Sequence, residues 1–247
     1  MQFYERAYGQ RETNAVVEIS GKFIQRWLRP HDQNIKMLDI GCGTMNISNQ
    51  ITQSIKKYNP QVQNIEITGW DVSETAINIA RKKEYNAQVC DITCPIESIK
   101  ERYDVVCLFE VLEHITDTDQ AVKNIHSLLK DDGVFLLSVP NLAAWYNRIF
   151  LLFGMQPHCA ELSYERSRFG NWFTGWIFSD SIDVVAGHLR AFTWRGLRDF
   201  LRYHGFSVLG VKGISNHRLD ILSKIIATCF PKSSGNICVI AKKTDRK

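Results

Sequence analysis

Short apolar strands and amphipathic helices alternate along most of the chain. Apolar residues at helical spacing predict a leading helix over 12–28 and further helices over 46–58 and 73–84, the last capped by Ser73. Apolar runs that end at acidic or turn residues predict strands over 35–40, 65–71, 87–92, Tyr103–Phe109 and 134–139. This alternation is typical of a doubly wound α/β fold with a parallel sheet, whose ligands bind beyond the carboxyl ends of the strands.

A helix and two further strands are predicted near the end of the chain. Thr193 is a suitable cap for a helix that begins at Trp194, and Gly205 is a suitable stop. The apolar runs Phe206–Ile214 and Asn236–Lys243 predict the two closing strands. Upstream, the sequence Asp-Asp-Gly at 131–133 predicts a turn that leads into the fifth strand.

The first strand ends in a Gly-X-Gly turn, formed by Gly41, Cys42 and Gly43, ahead of a predicted helix. Glycine adopts backbone angles barred to other residues and lets the main chain approach a ligand, while a helix start presents unpaired N–H groups. The second strand ends at Asp71, whose carboxylate is suited to accept hydrogen bonds from both hydroxyls of a ribose. Turn and acid together predict a site for a nucleoside-containing cofactor.

The glycine spacing argues against a nicotinamide dinucleotide. The fingerprint Gly-X-Gly-X-X-Gly would place its third glycine at position 46, where this chain has Asn46. The sequence also lacks the Tyr-X-X-X-Lys pair expected of nicotinamide-dependent sugar-modifying enzymes. Such an enzyme is therefore the weaker alternative.

Four motifs follow one another at the predicted strand ends. They are Leu38-Asp39-Ile40-Gly41-Cys42-Gly43, Asp71, Asp91 and Phe109-Glu110-Val111-Leu112-Glu113-His114. Their order resembles class I S-adenosylmethionine-dependent methyltransferases, especially the small-molecule branch that contains the ubiquinone-pathway O-methyltransferases. The resemblance extends over residues 35–141 and implies a seven-stranded Rossmann-like sheet with an antiparallel last strand. Met45 departs from the family's Gly-X-Gly-X-Gly pattern, which indicates a modest change in loop shape.

The same resemblance implies S-adenosylmethionine as cofactor, S-adenosylhomocysteine as product, and a set of cofactor-binding residues. Most of these residues lie at strand ends, and two tyrosines come from an N-terminal arm that family members often fold over the donor. The implied set is Tyr4, Tyr8, Asp39, Gly41, Cys42, Gly43, Asn46, Asp71, Val72, Asp91, Ile92, Phe109, Glu110, Val111 and His114.

Between 140 and 188 the alternation breaks and aromatic residues become frequent. This segment is interpreted as a helical substrate lid, an insertion over 141–190, because methyl transfer benefits from an apolar site that excludes water. A helical insert that packs its own small core is one alternative. Contact of the 142–154 helix with a membrane surface or a lipid-linked substrate is another.

Three histidines are candidate general bases. A sulfonium is a good leaving group, so the protein mainly positions donor and acceptor, and a base is needed only for a hydroxyl or a protonated amine. His114 follows the fourth strand, His158 lies inside the lid, and His188 precedes the capped helix. For His114 the alternative is that its ring nitrogens orient a neighbouring loop, and for His158 and His188 it is a capping or packing role.

Asn141 and Arg190 are predicted to bind the substrate. Arg195, Arg198 and Arg202 lie at helical spacing and are expected to form a solvent-exposed helix face, whereas Arg190 precedes that helix. If Arg190 faces the cleft, it would favour an anionic acceptor. A hydrogen bond that anchors its loop is the alternative. The segments 151–154 and 187–190 loosely resemble methyltransferases of bacterial cell-surface glycan pathways.

Length and composition narrow the class of protein. The 247 residues, 45% of them hydrophobic, suit one domain over 1–247 with an N-terminal arm and helix over 1–30. A net charge of +4 is too small for a nucleic-acid footprint. The seven scattered cysteines fit a reducing compartment and complete no zinc pattern, so no metal is predicted. Without a signal peptide or a long apolar run, the protein is expected to be cytoplasmic with no transmembrane segment.

The predicted function is O-methylation, less favourably N-methylation, of a small polar or anionic metabolite such as a nucleotide sugar, a phosphorylated compound or a glycan precursor. A non-catalytic scaffold that keeps cofactor binding is the alternative from another class, because fold does not settle function. Nucleic-acid methylation is disfavoured, since the residues at 110–113 replace the Pro-Pro-Tyr or Pro-Pro-Phe motif of adenine amino methylation.

Overall fold

The computed structural model describes residues 10–27, 33–157, 159–166, 169–170, 185–214 and 220–244. Within these residues the strands are β1 Asn34–Ile40, β2 Asn64–Asp71, β3 Ala87–Val89, β4 Tyr103–Phe109, β5 Leu129–Pro140, β6 Phe206–Ile214 and β7 Asn236–Lys243. The helices are α1 Gln10–Trp27, α2 Asn46–Tyr58, α3 Glu74–Lys82, α4 Thr118–Leu128, α5 Trp145–Leu152, α6 Trp194–Tyr203 and α7 Asp220–Cys229. Short 3₁₀ turns lie at Leu112–His114 and Pro231–Ser233.

In the described part of the chain the seven strands form one mixed sheet in the order β3-β2-β1-β4-β5-β7-β6. The neighbours from β3 to β5 pair in parallel, and β7 lies antiparallel between β5 and β6. The predicted doubly wound sheet with an antiparallel last strand is confirmed. The strand order reverses between β1 and β4, and in such sheets ligands bind at this switch point.

Apolar residues cover both faces of the sheet, as buried parallel strands require. Neighbouring residues on β1 point to opposite faces, so Leu38 joins the cluster under α4 and α6 while Met37 joins the cluster under α1 and α2. On β4, Val106 and Val105 divide in the same way. Two packed layers therefore fix the central strands and leave their carboxyl ends exposed to ligands.

Both predicted helix caps are present. The Ser73 hydroxyl accepts the backbone N–H of Ala76 at 3.3 Å at the start of α3. The Thr193 hydroxyl accepts the N–H of Gly196 at 3.1 Å at the start of α6. Each cap satisfies a donor that the first helical turn cannot pair internally.

Two predicted boundaries differ from the structure. The expected turn at 131–133 lies inside β5, which begins at Leu129. The register shifts there, because β4 advances from Tyr103 to Val105 while β5 advances from Leu129 to Val134. A bulge thus absorbs the Asp-Asp-Gly sequence without ending the strand. The third strand ends at Val89, so Asp91 lies in the loop that follows it.

Candidate functional site

The turn between β1 and α2 brings the main chain close to the edge of the sheet. Gly41 and Gly43 have φ angles of 74° and 54°, in the left-handed region that favours glycine. The N–H groups of Gly41 and Cys42 donate to the carbonyl of Trp70 at 2.7 and 3.1 Å. A Cβ at Gly41 would collide with Val111, whereas a Cβ at Gly43 would meet nothing within 4 Å. Gly41 is therefore needed for packing, and Gly43 borders open space in which a ligand can lie.

Met45 explains how the turn accommodates the loss of a third glycine. Its φ is 65°, a conformation that costs a non-glycine residue about 1–2 kcal/mol, and its side chain is completely buried. The thioether fills the space beside Gly69, where a Cβ would collide with Met45 Sδ and lie 2.6 Å from Cys42 Sγ. The burial of Met45 offsets the strain of its backbone.

Asp71 is oriented by the backbone on both sides. Its Oδ2 accepts the Gly43 N–H at 2.9 Å, and its Oδ1 accepts the Ser73 N–H at 2.8 Å. These bonds join the end of β2 to the turn after β1 and hold the carboxylate at the pocket wall. The group is thus held in place as a hydrogen-bond acceptor before any ligand binds.

Asp39 lies beneath the same turn and is only 3% exposed. The Ser48 hydroxyl of α2 donates to its Oδ2 at 2.5 Å. Burial raises the pKa of Asp39 to about 7, an effect opposed by the Ser48 hydrogen bond and increased by the charge of Asp71. A cation bound nearby would favour the ionised form of this carboxyl.

One pocket opens at the switch point and collects many of the residues predicted to bind the cofactor. Of these, Gly41, Asp71, Val72, Asp91, Ile92, Val111 and His114 line it. The remaining lining residues, which were not singled out from the sequence, are Ile40, Cys90, Thr93, Ile115 and Thr116. Thr93 donates to Asp91 Oδ1 through its N–H at 2.8 Å and its hydroxyl at 2.7 Å, an arrangement that the Asp-X-Thr sequence could have indicated.

Other residues predicted to bind the cofactor lie around this pocket without lining it. Cys42 and Phe109 are buried, and Phe109 belongs to the cluster under α1 and α2. Asn46 begins α2 and accepts a hydrogen bond from Lys83 Nζ at 2.9 Å. Glu110 has a φ of 52°, and its Oε2 accepts the Asn236 amide at 2.7 Å. Tyr4, Tyr8 and His158 lie outside the described residues.

Glu113, His114 and His188 form a cluster, of which His114 also lines the pocket. One carboxylate oxygen of Glu113 and one ring nitrogen of each histidine all lie within 4.8 Å of one another, and the centroids of the two imidazole rings are 5.1 Å apart. The carbonyl of Gly187 can only accept, so His114 Nδ1, at 3.1 Å, donates to it. Burial lowers the pKa of His114, an effect that the Gly187 carbonyl and the charge of Glu161 partly oppose. His114 is therefore a neutral imidazole at pH 7.

Glu161 fastens the segment that carries His188. Its carboxylate accepts the backbone N–H groups of Ala186, Gly187 and His188 at 2.8, 2.7 and 3.0 Å. Gly187 has a φ of 82°, which lets the three donors converge. Charge-assisted bonds of this kind are the stronger class of hydrogen bond, so Glu161 holds the segment 185–190 beside the pocket.

The two predicted substrate-binding residues make structural contacts. Asn141 is fully buried, and its amide donates to the carbonyls of Lys232 and Ser234 at 3.0 and 2.9 Å. Arg190 Nη2 donates to the carbonyl of Thr116 at 2.8 Å. These contacts favour a loop-anchoring role for Arg190, which the sequence left open, and a scaffold role for Asn141.

The described part of the lid has its own small core and an apolar surface. Ala144, Tyr146 and Phe150 form a separate buried cluster around α5. At the end of that helix, Leu152 and Phe153 are 79% and 71% exposed. Among the described residues, no helix is both long enough and apolar enough to cross a bilayer.

The sequence profile of the methyltransferase domain family matches residues 10–211. The ubiquinone biosynthesis O-methyltransferase of Pelagibacter ubique (strain HTCC1062) is 28% identical over 112 residues, which cover 44% of this chain and 43% of that protein. The chain thus spans less than half the length of this curated relative.

Solved structures share the fold at lower identity. An S-adenosylmethionine-dependent methyltransferase from Clostridium acetobutylicum ATCC 824 has a TM-score of 0.57 at 13% identity, over 97% of this chain and 94% of that one. A second structure is the 1,6-didemethyltoxoflavin-N1-methyltransferase of Burkholderia thailandensis with bound 1,6-didemethyltoxoflavin and S-adenosylhomocysteine. It has a TM-score of 0.54 at 15% identity, over 95% of this chain and 79% of that one. The expected family and fold are confirmed.

Replacing Gly69 with Ala should destabilise the protein, because the new methyl group collides with Met45 Sδ. Overpacking of this kind costs about 1–3 kcal/mol, measurable as the free energy of unfolding in urea. Gly196→Ala is the matched control, since its Cβ meets only the Thr193 hydroxyl at 3.3 Å. Equal stability of the two variants would contradict the account of Met45.

Replacing Glu161 with Ala should release the backbone of Ala186, Gly187 and His188, which lose their shared acceptor. Their amide hydrogen exchange should quicken by about tenfold or more, the factor that corresponds to ~1.4 kcal/mol of opening free energy. Glu165→Ala, which removes an exposed acid four residues away, should leave these amides unchanged. Unaltered exchange in Glu161→Ala would show that other contacts hold the segment.

Proposed function

We propose that this chain transfers the methyl group of S-adenosylmethionine to a hydroxyl of a small polar or anionic metabolite. The proposal starts from the finding that the chain belongs to the methyltransferase domain family. The observation that carries this proposal is the pair of histidines, His114 and His188, beside a pocket lined by acids at the switch point. Donor site and candidate base lie at the same edge of the sheet.

The pocket residues fit S-adenosylmethionine. Apolar side chains such as Ile92 and Val111 suit the flat adenine, and Asp71 is oriented to accept hydrogen bonds from the ribose hydroxyls. Gly43 leaves open space in which the main chain can approach the ligand. When bound, the cofactor supplies an activated methyl group on a sulfonium. The cofactor assignment agrees with the family and with the S-adenosylhomocysteine in the toxoflavin methyltransferase structure.

A neutral histidine suits an oxygen acceptor, because a hydroxyl must lose its proton as it gains the methyl group. His114 already uses Nδ1 on Gly187, so His188 is the better candidate for the base that faces the acceptor. His158, outside the described residues, stays a candidate from the sequence. The relative from Pelagibacter is named as an O-methyltransferase, which supports the choice of oxygen.

The proposal that the methyl acceptor is anionic rests on Arg190. Its contact with Thr116 uses one nitrogen of a guanidinium that has five N–H donors, and Thr116 lines the pocket. A phosphate or carboxylate of the acceptor can therefore bind the same guanidinium. A role in glycan biosynthesis and a cytoplasmic location belong to this proposal and rest on the sequence alone.

The purified protein should bind S-adenosylmethionine and S-adenosylhomocysteine but not NAD in isothermal titration calorimetry. Asp71→Ala should weaken binding by about 1.5–3 kcal/mol, the scale of hydrogen bonds to a charged group. The control Glu97→Ala removes an exposed acid outside the pocket and should bind normally. An unchanged dissociation constant for Asp71→Ala would remove Asp71 from the donor site.

Turnover distinguishes an enzyme from a binding scaffold. Nucleotide sugars, phosphorylated metabolites and phenols are incubated with the protein and S-adenosylmethionine, and methylated products are detected by mass spectrometry. Methylation of an oxygen supports the proposal. Methylation of nitrogen only, or donor binding with no product from any class, would contradict it.

Donor binding should depend on pH through Asp39, whose pKa burial raises to about 7. Below that pH the buried carboxyl is protonated, and above it the carboxyl is ionised and attracts a cation. Affinity for the sulfonium donor should therefore rise as the pH increases from about 6 to 8, with proton release on binding. Asp39→Asn should lose this part of the pH dependence, because it cannot ionise.

Calorimetry in buffers of different ionisation enthalpy measures the released protons. The difference between wild type and Asp39→Asn isolates Asp39, since the ligand's own groups contribute equally to both. S-adenosylhomocysteine, which lacks the sulfonium charge, is the second control and should show a smaller difference. Identical pH dependence in the two proteins would exclude Asp39 as the responsive group.

A further inference from the structure

Glu113 is a buried carboxyl with an unusual environment. Its side chain is 1% exposed, and neither Oε1 nor Oε2 has a hydrogen-bond partner among the described residues. A buried polar group without a partner costs about 1–3 kcal/mol, and more if it is charged. Such a residue requires an explanation beyond packing.

The ionisable neighbours of Glu113 come from three segments. Glu110 and His114 lie close to Glu113 in the chain and belong to the same turn region. His114 Nε2 lies 3.9 Å from Glu113 Oε1, and the charge of Glu110 acts on Glu113. From the segment 185–190 comes His188. From the lid come the thiol of Cys159, whose pKa burial raises to about 11, and Glu161, whose charge acts on His114.

The protonation states of Glu113 and His114 are complementary. Burial, together with the negative charge of Glu110, raises the pKa of Glu113 well above its usual value, which favours the protonated carboxyl. His114 is neutral and carries its proton on Nδ1, which leaves Nε2 as an acceptor. A carboxylic O–H thus faces an imidazole lone pair, and a shift of about 1 Å would bring the two to hydrogen-bonding distance.

The main chain of Glu113 holds the same segment. Its carbonyl accepts the N–H groups of Leu189 and Arg190 at 2.8 and 3.0 Å. His114, the next residue, donates to Gly187. Both ends of the turn that presents His188 are therefore fastened to Glu113 and His114.

We propose that Glu113 is a positioning residue that acts in its neutral form: its carboxylic O–H donates to His114 Nε2, fixes the His114 tautomer on Gly187, and so holds His188 toward the acceptor. In the transfer step the acceptor oxygen forms a bond to the methyl carbon as the carbon–sulfur bond breaks. Sulfur keeps the electron pair, and the acceptor proton moves to His188. Glu113 exchanges no proton in this step. Its effect on turnover rests on the proposed function, whereas its effect on His114 does not.

The first test is the tautomer of His114, observed by NMR in the full chain labelled with ¹⁵N-histidine and bound to S-adenosylhomocysteine. The signal that is missing from the spectrum of the His114→Gln variant is assigned to His114. In the wild type we expect the proton on Nδ1 and a change of the Nε2 signal at alkaline pH, when Glu113 ionises. Glu113→Gln still donates through its amide, so it should keep the tautomer without the alkaline change. Glu113→Ala should give a mixture of tautomers.

Three results would overturn the proposal. One is a wild-type His114 with its proton on Nε2, and another is the same alkaline change in Glu113→Gln. The third is a divalent metal bound in stoichiometric amount to the purified wild type and lost from Glu113→Gln, because a cation between these side chains needs an ionised carboxylate. Metal content is measured by mass spectrometry on the same samples.

The second test is turnover with an acceptor identified in the screen above. Glu113→Ala should lower kcat about 10- to 100-fold, the scale of a small misplacement of reacting groups, with unchanged affinity for S-adenosylhomocysteine. Glu113→Gln should keep most of kcat and lack the decline at alkaline pH that the wild type shows. A large loss of kcat in Glu113→Gln would mean that the ionised form is required and would overturn the proposal. Absence of turnover in the wild type instead contradicts the proposed function and leaves the tautomer test valid.

Discussion

The position of β1 between β2 and β4 is the constraint on which the donor site depends. Parallel pairing places Asp39 beside Gly69 on one side and Cys107 on the other, so all three strands end at the same edge. From this register follow the hydrogen bonds from the turn after β1 to the carbonyl of Trp70 and the bond from Gly43 to Asp71. A slip of one residue would shift the turn after β1 by about 3.3 Å along the strand direction and break these hydrogen bonds.

The site holds carboxyl groups in two electrostatic states. Asp71, oriented by two backbone N–H groups at the pocket wall, is prepared to accept hydrogen bonds. Asp39 and Glu113 are buried, and their raised pKa values favour the neutral form. Asp39 accepts a hydrogen bond from one hydroxyl near the donor site, so a bound cation would favour its ionised form. Glu113 instead lies beside a neutral imidazole and Glu110, and the charge of Glu110 favours its protonated form. In the proposed function, the same chemical group, a carboxyl, therefore attracts a cation at Asp39 and donates a hydrogen bond at Glu113.

The sequence predicted the features that depend on nearby residues. Strand ends, the Gly-X-Gly turn and the caps Ser73 and Thr193 followed from local pattern and spacing, whereas most of the pocket lining followed from the family resemblance. It did not predict the bulge at 131–133, because pairing with β4 overrides the turn propensity of Asp-Asp-Gly. Nor did it predict the contacts of Glu161, which lie 25 to 27 residues away, or the bond between His114 and Gly187, which spans 73 residues. These contacts arise only once the sheet has assembled.

In the proposed function, the donor and acceptor sides of the site therefore have different origins in the chain. The donor side comes from consecutive strand ends within 39–116, and it is the part that local motifs describe. The acceptor side is assembled from the turn at Leu112–His114, from Glu161 and from the segment 185–190, which are joined mainly by backbone hydrogen bonds. Backbone bonds tolerate many side chains, so substitutions in the lid can alter the surface offered to an acceptor while Asp71 and the turn keep the donor in place. In the proposed function, chains with the same donor motifs can therefore differ in the acceptor that they methylate.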